Sequence, residues 1–147
     1  VLVLVAVEWH DNHMGRIRLK QIPQASGMVL RKSVQELVEQ GSTVSTDGWR
    51  GYQNLKESGY HHVVTPHTEE VPGEDPTPLV HRIASLLKRW LLGTHQGGQQ
   101  RAYLPYYLDE FTFRFNRRTS TSRGKLFYRL VQQALSIQPA PLSVIMA

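Results

Sequence analysis

Apolar and polar positions fall into blocks of different period along the chain, and the period assigns each block an element. Val1 to Glu8 is almost continuously apolar and rich in Val, which predicts a buried strand. Trp9 to Gly15, with Asp11 among them, is turn material. Arg16 to Ile22 then alternates polar with apolar, the pattern of a half-exposed strand, so the two runs form an antiparallel hairpin. After the break at Pro23 to Gly27, Ser26 suits the cap of a helix over Met28 to Gln40. Leu30, Val34, Leu37 and Val38 share one face of it, and Gly41 is the stop. Thr43 to Thr46 reads as a short strand, Gly48 to Lys56 as a short helix, and Gly59 to Thr65 as a strand stopped by Pro66.

The second half changes period. His67 to Pro78 is a loop marked by prolines, acids and His67. Leu79 to Leu92 carries Val80, Ile83, Ala84, Leu87 and Leu91 as one helical stripe, and Gly93 to Gln100 interrupts it. Pro105 opens a further helix lined by Tyr107, Leu108, Phe111 and Phe115. Asn116 to Gly124 is a basic linker rich in Ser and Thr. Leu126 to Ile137 is the last helix, with Leu126, Leu130, Val131 and Ala134 expected to face inward. The order strand, strand, helix, strand, short helix, strand, then helices predicts a mixed α/β fold with all four strands in one central sheet.

Composition narrows the class. The 147 residues suit one domain, and 40% apolar with 20% charged residues is ordinary for a globular chain. The absence of cysteine excludes a disulfide scaffold, a thiolate zinc site and a Cys nucleophile, and it fits a reducing, cytoplasmic setting. The longest apolar run is too short to span a bilayer. The net charge of +5 is divided unevenly: residues up to His81 carry −3, and Arg82 to Arg129 carry +8. Such a basic half points to a polyanion, nucleic acid before membrane, against the alternative of a solvated basic face.

Few residues offer chemistry. Asp47 closes a strand ahead of Gly48, Trp49 and Gly51, where a carboxylate projects into a ligand crevice or else caps the next helix. His81 and Lys88, seven apart with Ser85 between, share one helix face beside Arg82 and Arg89. That stripe suits a proton-handling or metal-binding His beside a phosphate-binding Lys, or simply a solvated face. His61, His62 and His67 make a poor metal site, because neighbouring strand residues point to opposite faces and no Cys joins them. Arg114, Arg117, Arg118 and Arg123 read as a phosphate-backbone clamp or a solvated basic turn.

Taken in order, four phrases resemble the DDE transposases of bacterial insertion sequences, in particular an ISXO-like branch. They are Arg16–Leu19, Thr46-Asp47-Gly48-Trp49-Arg50-Gly51-Tyr52, His81 to Thr94 with its Leu-Leu-Lys88-Arg89-Trp90 centre, and Tyr107–Phe111 through Arg114–Arg118. The resemblance implies an RNase H-like mixed sheet flanked by helices, holding two divalent cations, Mg or Mn, on three side chains. Asp47 matches the second acidic ligand. His81, 34 positions later, stands where Glu is usual, and Lys88 matches the lysine seven residues beyond. The first aspartate belongs to a strand ahead of Val1, so the expectation is one catalytic domain over 1–147 that is incomplete at its N-terminus. Lys88, Arg89, Arg117, Arg118 and Arg123 would hold double-stranded DNA, at element ends and target, with a homodimer on DNA as the assembly. The full-length parent would cleave and rejoin DNA. The rival reading is an inactive DNA-binding transposase remnant.

Overall fold

A computed structural model describes residues 1–11, 13–65, 77–96 and 100–139. The strands are β1 (Leu2–His10), β2 (His13–Ile22), β3 (Thr43–Thr46) and β4 (His61–Val64). The helices are α1 (Gly27–Leu37), α2 (Pro78–His95), α3 (Leu104–Asn116) and α4 (Arg123–Ser136), and two 3-10 segments cover Arg50–Ser58 and Arg101–Tyr103. The expected loop from His67 lies outside the described residues up to Thr77.

The hairpin is the centre of the molecule because both of its faces are apolar. β1 and β2 pair antiparallel from Leu2↔Ile22 to His10↔His13, with a register shift between Val7 and Trp9. Asp11 stands in the tight turn with a positive φ of 32°. Strand alternation then sorts the side chains between two cores. Val3, Val5 and Val7 join Ile17 and Leu19 on one face, against Ile83 and Leu87 of α2 and Leu108 and Phe111 of α3. Leu4 and Ile22 point the other way, against Leu30 and Val34 of α1, Leu55 and Tyr60. Three layers result: α1, the hairpin, and the α2–α3 pair.

Local chemistry sets the helix ends. Ser26 caps α1, its Oγ accepting from the Val29 N–H at 3.5 Å. The helix stops at Leu37 rather than at Gln40, because Val38 is already extended and Gly41 makes the turn in the left-handed region at φ +86°. α2 continues through Gly93 to His95 instead of ending at Leu92. The reason is aromatic packing: the His95 ring lies 5.1 Å from Trp90 and 4.4 Å from Tyr107 of α3, which holds the last turn helical.

Two expectations are corrected. The four strands do not share one sheet: β1 pairs only with β2, and β3 pairs only with β4, parallel, among the described residues. The two pairs are joined by side chains, since Val44 of β3 and Tyr60 pack on the core that contains Leu4 and α1, and no backbone ladder connects them. The last helix also differs. Leu130 and Val131 of α4 are exposed rather than inward, as are Phe127 and Leu135, because the helix lies on the surface with Leu126 its one described side chain that is not exposed.

Candidate functional site

The β3 carboxyl end is built tightly around Asp47. Thr46 is buried, and its Oγ1 lies 2.9 Å from His62 Nε2 and accepts from the Gly48 N–H at 3.3 Å. Asp47 is exposed, and its Oδ1 accepts from the Trp49 N–H at 3.1 Å, an Asx turn that leads into the 3-10 helix. The two glycines beside it serve the chain's own packing. Gly48 has φ +80°, and a Cβ there would meet Val64 Cγ1 at 2.7 Å. A Cβ on Gly51 would strike the Trp49 ring, which lies over that residue and meets Tyr52 edge-on at 6.2 Å between centroids. Burial, then the Asp47 charge, raises the Tyr52 hydroxyl above its ordinary pKa, so the carboxylate and the phenol share one electrostatic neighbourhood.

Burial is also the main reason that the His62 imidazole titrates below its ordinary 6.5, and the Lys56 charge adds to it. Folding therefore favours the neutral ring. Its contribution to stability is present above the unfolded value and is lost as pH falls through 6.5 toward the folded value. The His62 ring protons should titrate with a midpoint below 6.5 by NMR, and His62→Gln should flatten the decline of stability over that interval. A midpoint at or above 6.5 would contradict the burial of the His62 ring beside Lys56.

α2 presents the other candidates. Ile83 and Leu87 are buried, and His81, Ser85, Lys88 and Arg89 are exposed, so the polar stripe lies on the solvent side as its spacing requires. Lys88 and Arg89 make no ion pair among the described residues. No group of three or more His, Cys, Asp or Glu side chains able to hold a metal ion occurs among the described residues. Among the described residues, then, neither Asp47 nor His81 belongs to such a group.

The arginine cluster divides. Arg114 pairs with Glu110 at 2.8 Å. Arg118 stacks on Phe115 at 4.1 Å and donates to the Met14, Gly15 and Phe115 carbonyls, tying α3 to β2. Arg117 lies over Phe113 at 3.8 Å and donates to its carbonyl. The Arg123 side chain lies outside what the structure describes. Sequence reasoning missed the Thr46–His62 pair and the Tyr52–Asp47 proximity, which become legible only once β3 and β4 are placed side by side.

No described helix is long and apolar enough to cross a membrane. A family model for an ISXO2-like transposase domain matches residues 1–116. No curated protein and no solved structure matches the chain.

Proposed function

The chain belongs to the ISXO2-like transposase domain family, and from that membership we propose that its parent protein cuts and joins DNA at insertion-sequence ends by metal-dependent phosphoryl transfer. Its role is DNA transposition, with double-stranded DNA as partner. Asp47 and His81 are the metal-side residues in this reading, and Lys88 and Arg89 face the scissile strand. The observation that carries the site assignment is the position of Asp47: exposed, at the carboxyl end of β3, oriented through one oxygen by Trp49.

Two cations about 3.5–4 Å apart need anionic oxygens that bridge them. One carboxylate and one imidazole do not supply that set, and no third ligand is gathered among the described residues. The described residues therefore do not make up a two-metal centre on their own. The divided sheet suggests what completes it. β1 and β3 each keep one unpaired edge, and both border the α1 core. A strand laid between them would turn two pairs into one RNase H-like sheet and bring its own side chains beside Asp47. We place the first aspartate of the parent's site on such a strand. The second reading is a DNA-binding unit without cleavage.

The test is a pair of measurements on the purified chain. Binding to duplex DNA should weaken by about a hundredfold between 50 and 200 mM salt, the loss expected for roughly four phosphate contacts. Labelled element ends should stay intact with Mg or Mn. Adding an upstream aspartate-bearing strand should produce nicking that Asp47→Ala abolishes. Salt-independent binding would overturn the DNA reading, and nicking that survives Asp47→Ala would overturn the site.

A further inference from the structure

We infer that a cleft between the end of α3 and α4, lined by Arg117, Arg129, Gln132, Gln133 and Ser136, is a seat for a phosphodiester of the DNA backbone. The inference rests on the DNA reading above and assigns it a place. The cleft holds about 200 Å³, and its lining comes from two sources that agree in chemistry. On α4, Arg129, Gln132, Gln133 and Ser136 follow the i, i+3, i+4, i+7 spacing that puts them on one helix face. On α3, Arg117 follows Asn116 at the helix end, with its guanidinium held flat over the Phe113 ring and hydrogen-bonded to the Phe113 carbonyl at 3.3 Å. That stacking fixes the fork while leaving further N–H donors for a ligand.

Charge decides what fits. From Phe111 to the end of the chain there is no Asp or Glu, and the nearest acid, Glu110, is taken by Arg114. Two guanidinium groups line one cleft with no carboxylate partner among the described residues. Like charges so placed are unfavourable unless an anion lies between them. The remaining lining atoms suit an anion with several acceptor oxygens: the glutamine amides donate, and the Ser136 hydroxyl, now donating to the Gln133 carbonyl at 2.9 Å, supplies an adjustable polar group. No aromatic ring lines the cleft among the described residues, which argues for a backbone phosphate rather than a stacked base.

The experiment measures the slope of log binding constant against log salt for the full chain on duplex DNA. Arg129→Gln, at an exposed position where folding does not depend on the side chain, should reduce the magnitude of the slope by about 0.9. Adding Arg117→Gln should bring the reduction to about 1.8, the loss of two phosphate contacts. Lys32→Gln, on the far layer, should leave the slope unchanged. Circular dichroism confirms that each variant is folded. A double variant with the wild-type slope, while wild type remains salt-sensitive, would overturn the cleft assignment alone. A wild-type chain with no salt dependence would overturn the DNA reading and the cleft with it.

Discussion

Ile83→Ala is expected to destabilise the folded chain by about 3–4 kcal/mol, within the range measured when a buried branched side chain is cut back to Ala. Ile83 is fully buried and stands where three elements meet: the Val3–Val5–Val7 face of β1, Ile17 of β2, and Leu108 of α3. The surroundings cannot collapse into the vacated space, because the hairpin is held from its other face by α1. In urea unfolding the midpoint should fall while the slope stays constant, the sign of a stability change without a change in surface exposed. A loss below about 1 kcal/mol would mean that α2 does not rest on the hairpin as described.

The second large effect comes from a polar residue. The Asn116 side chain accepts from the Ile17 N–H at 2.7 Å and donates to the Ile17 carbonyl at 3.0 Å, so one amide satisfies both backbone groups of a fully buried residue. Asn116→Ala leaves a donor and an acceptor without partners, at about 1–3 kcal/mol each, so a total loss of about 2–6 kcal/mol is expected. Asn116→Asp retains the acceptor alone, so it should recover only part of the loss. Hydrogen exchange at the Ile17 amide is the direct probe: protection should fall most in the alanine variant, while the aspartate, which keeps the acceptor for that N–H, should lose only what its lower overall stability costs. Unchanged protection would show that the amide is held by something other than Asn116.

How far the residues announce this arrangement depends on the range of the interactions involved. The Val-rich opening run identifies β1 as a strand because a doubly covered strand needs apolar residues on both faces, and Val3–Val5–Val7 and Leu4 do serve two cores. The helix stripes at Ile83 and Leu87 and at Leu108 and Phe111 were legible for the same local reason. Asp47 at a strand end was legible too, although its side chain makes an Asx turn to Trp49 rather than capping the 3-10 segment, whose cap is Trp49. Long-range placement was not legible. Asn116 looked like the first residue of a polar linker, since nothing near it in sequence tells that its partner is 99 residues away. Arg118 reads in sequence as a DNA contact, and nothing near it tells that it also meets the Met14 and Gly15 carbonyls of β2, more than a hundred residues earlier. The α4 stripe gave the right helix and the wrong inward face, because periodicity finds an apolar side and cannot say what covers it. The division of the sheet was hidden for a similar reason: strand patterns show which segments extend, while pairing depends on which edges meet.

The two cores also differ in when they can form. The first needs residues from Leu4 to Tyr60. The second joins the hairpin to residues as late as Phe115. On a ribosome releasing the chain from its N-terminus, the α1 side of the hairpin can close while α2 and α3 are still unmade. Until then the Ile17–Leu19 face lies open to water and to neighbouring nascent chains. Closing it requires a long loop to be drawn in, which slows the step relative to the local events before it. Folding is therefore expected in two stages, with the early unit spanning the first 65 residues. Slow translation near residue 80 would lengthen the interval in which the unfinished protein is most prone to aggregate.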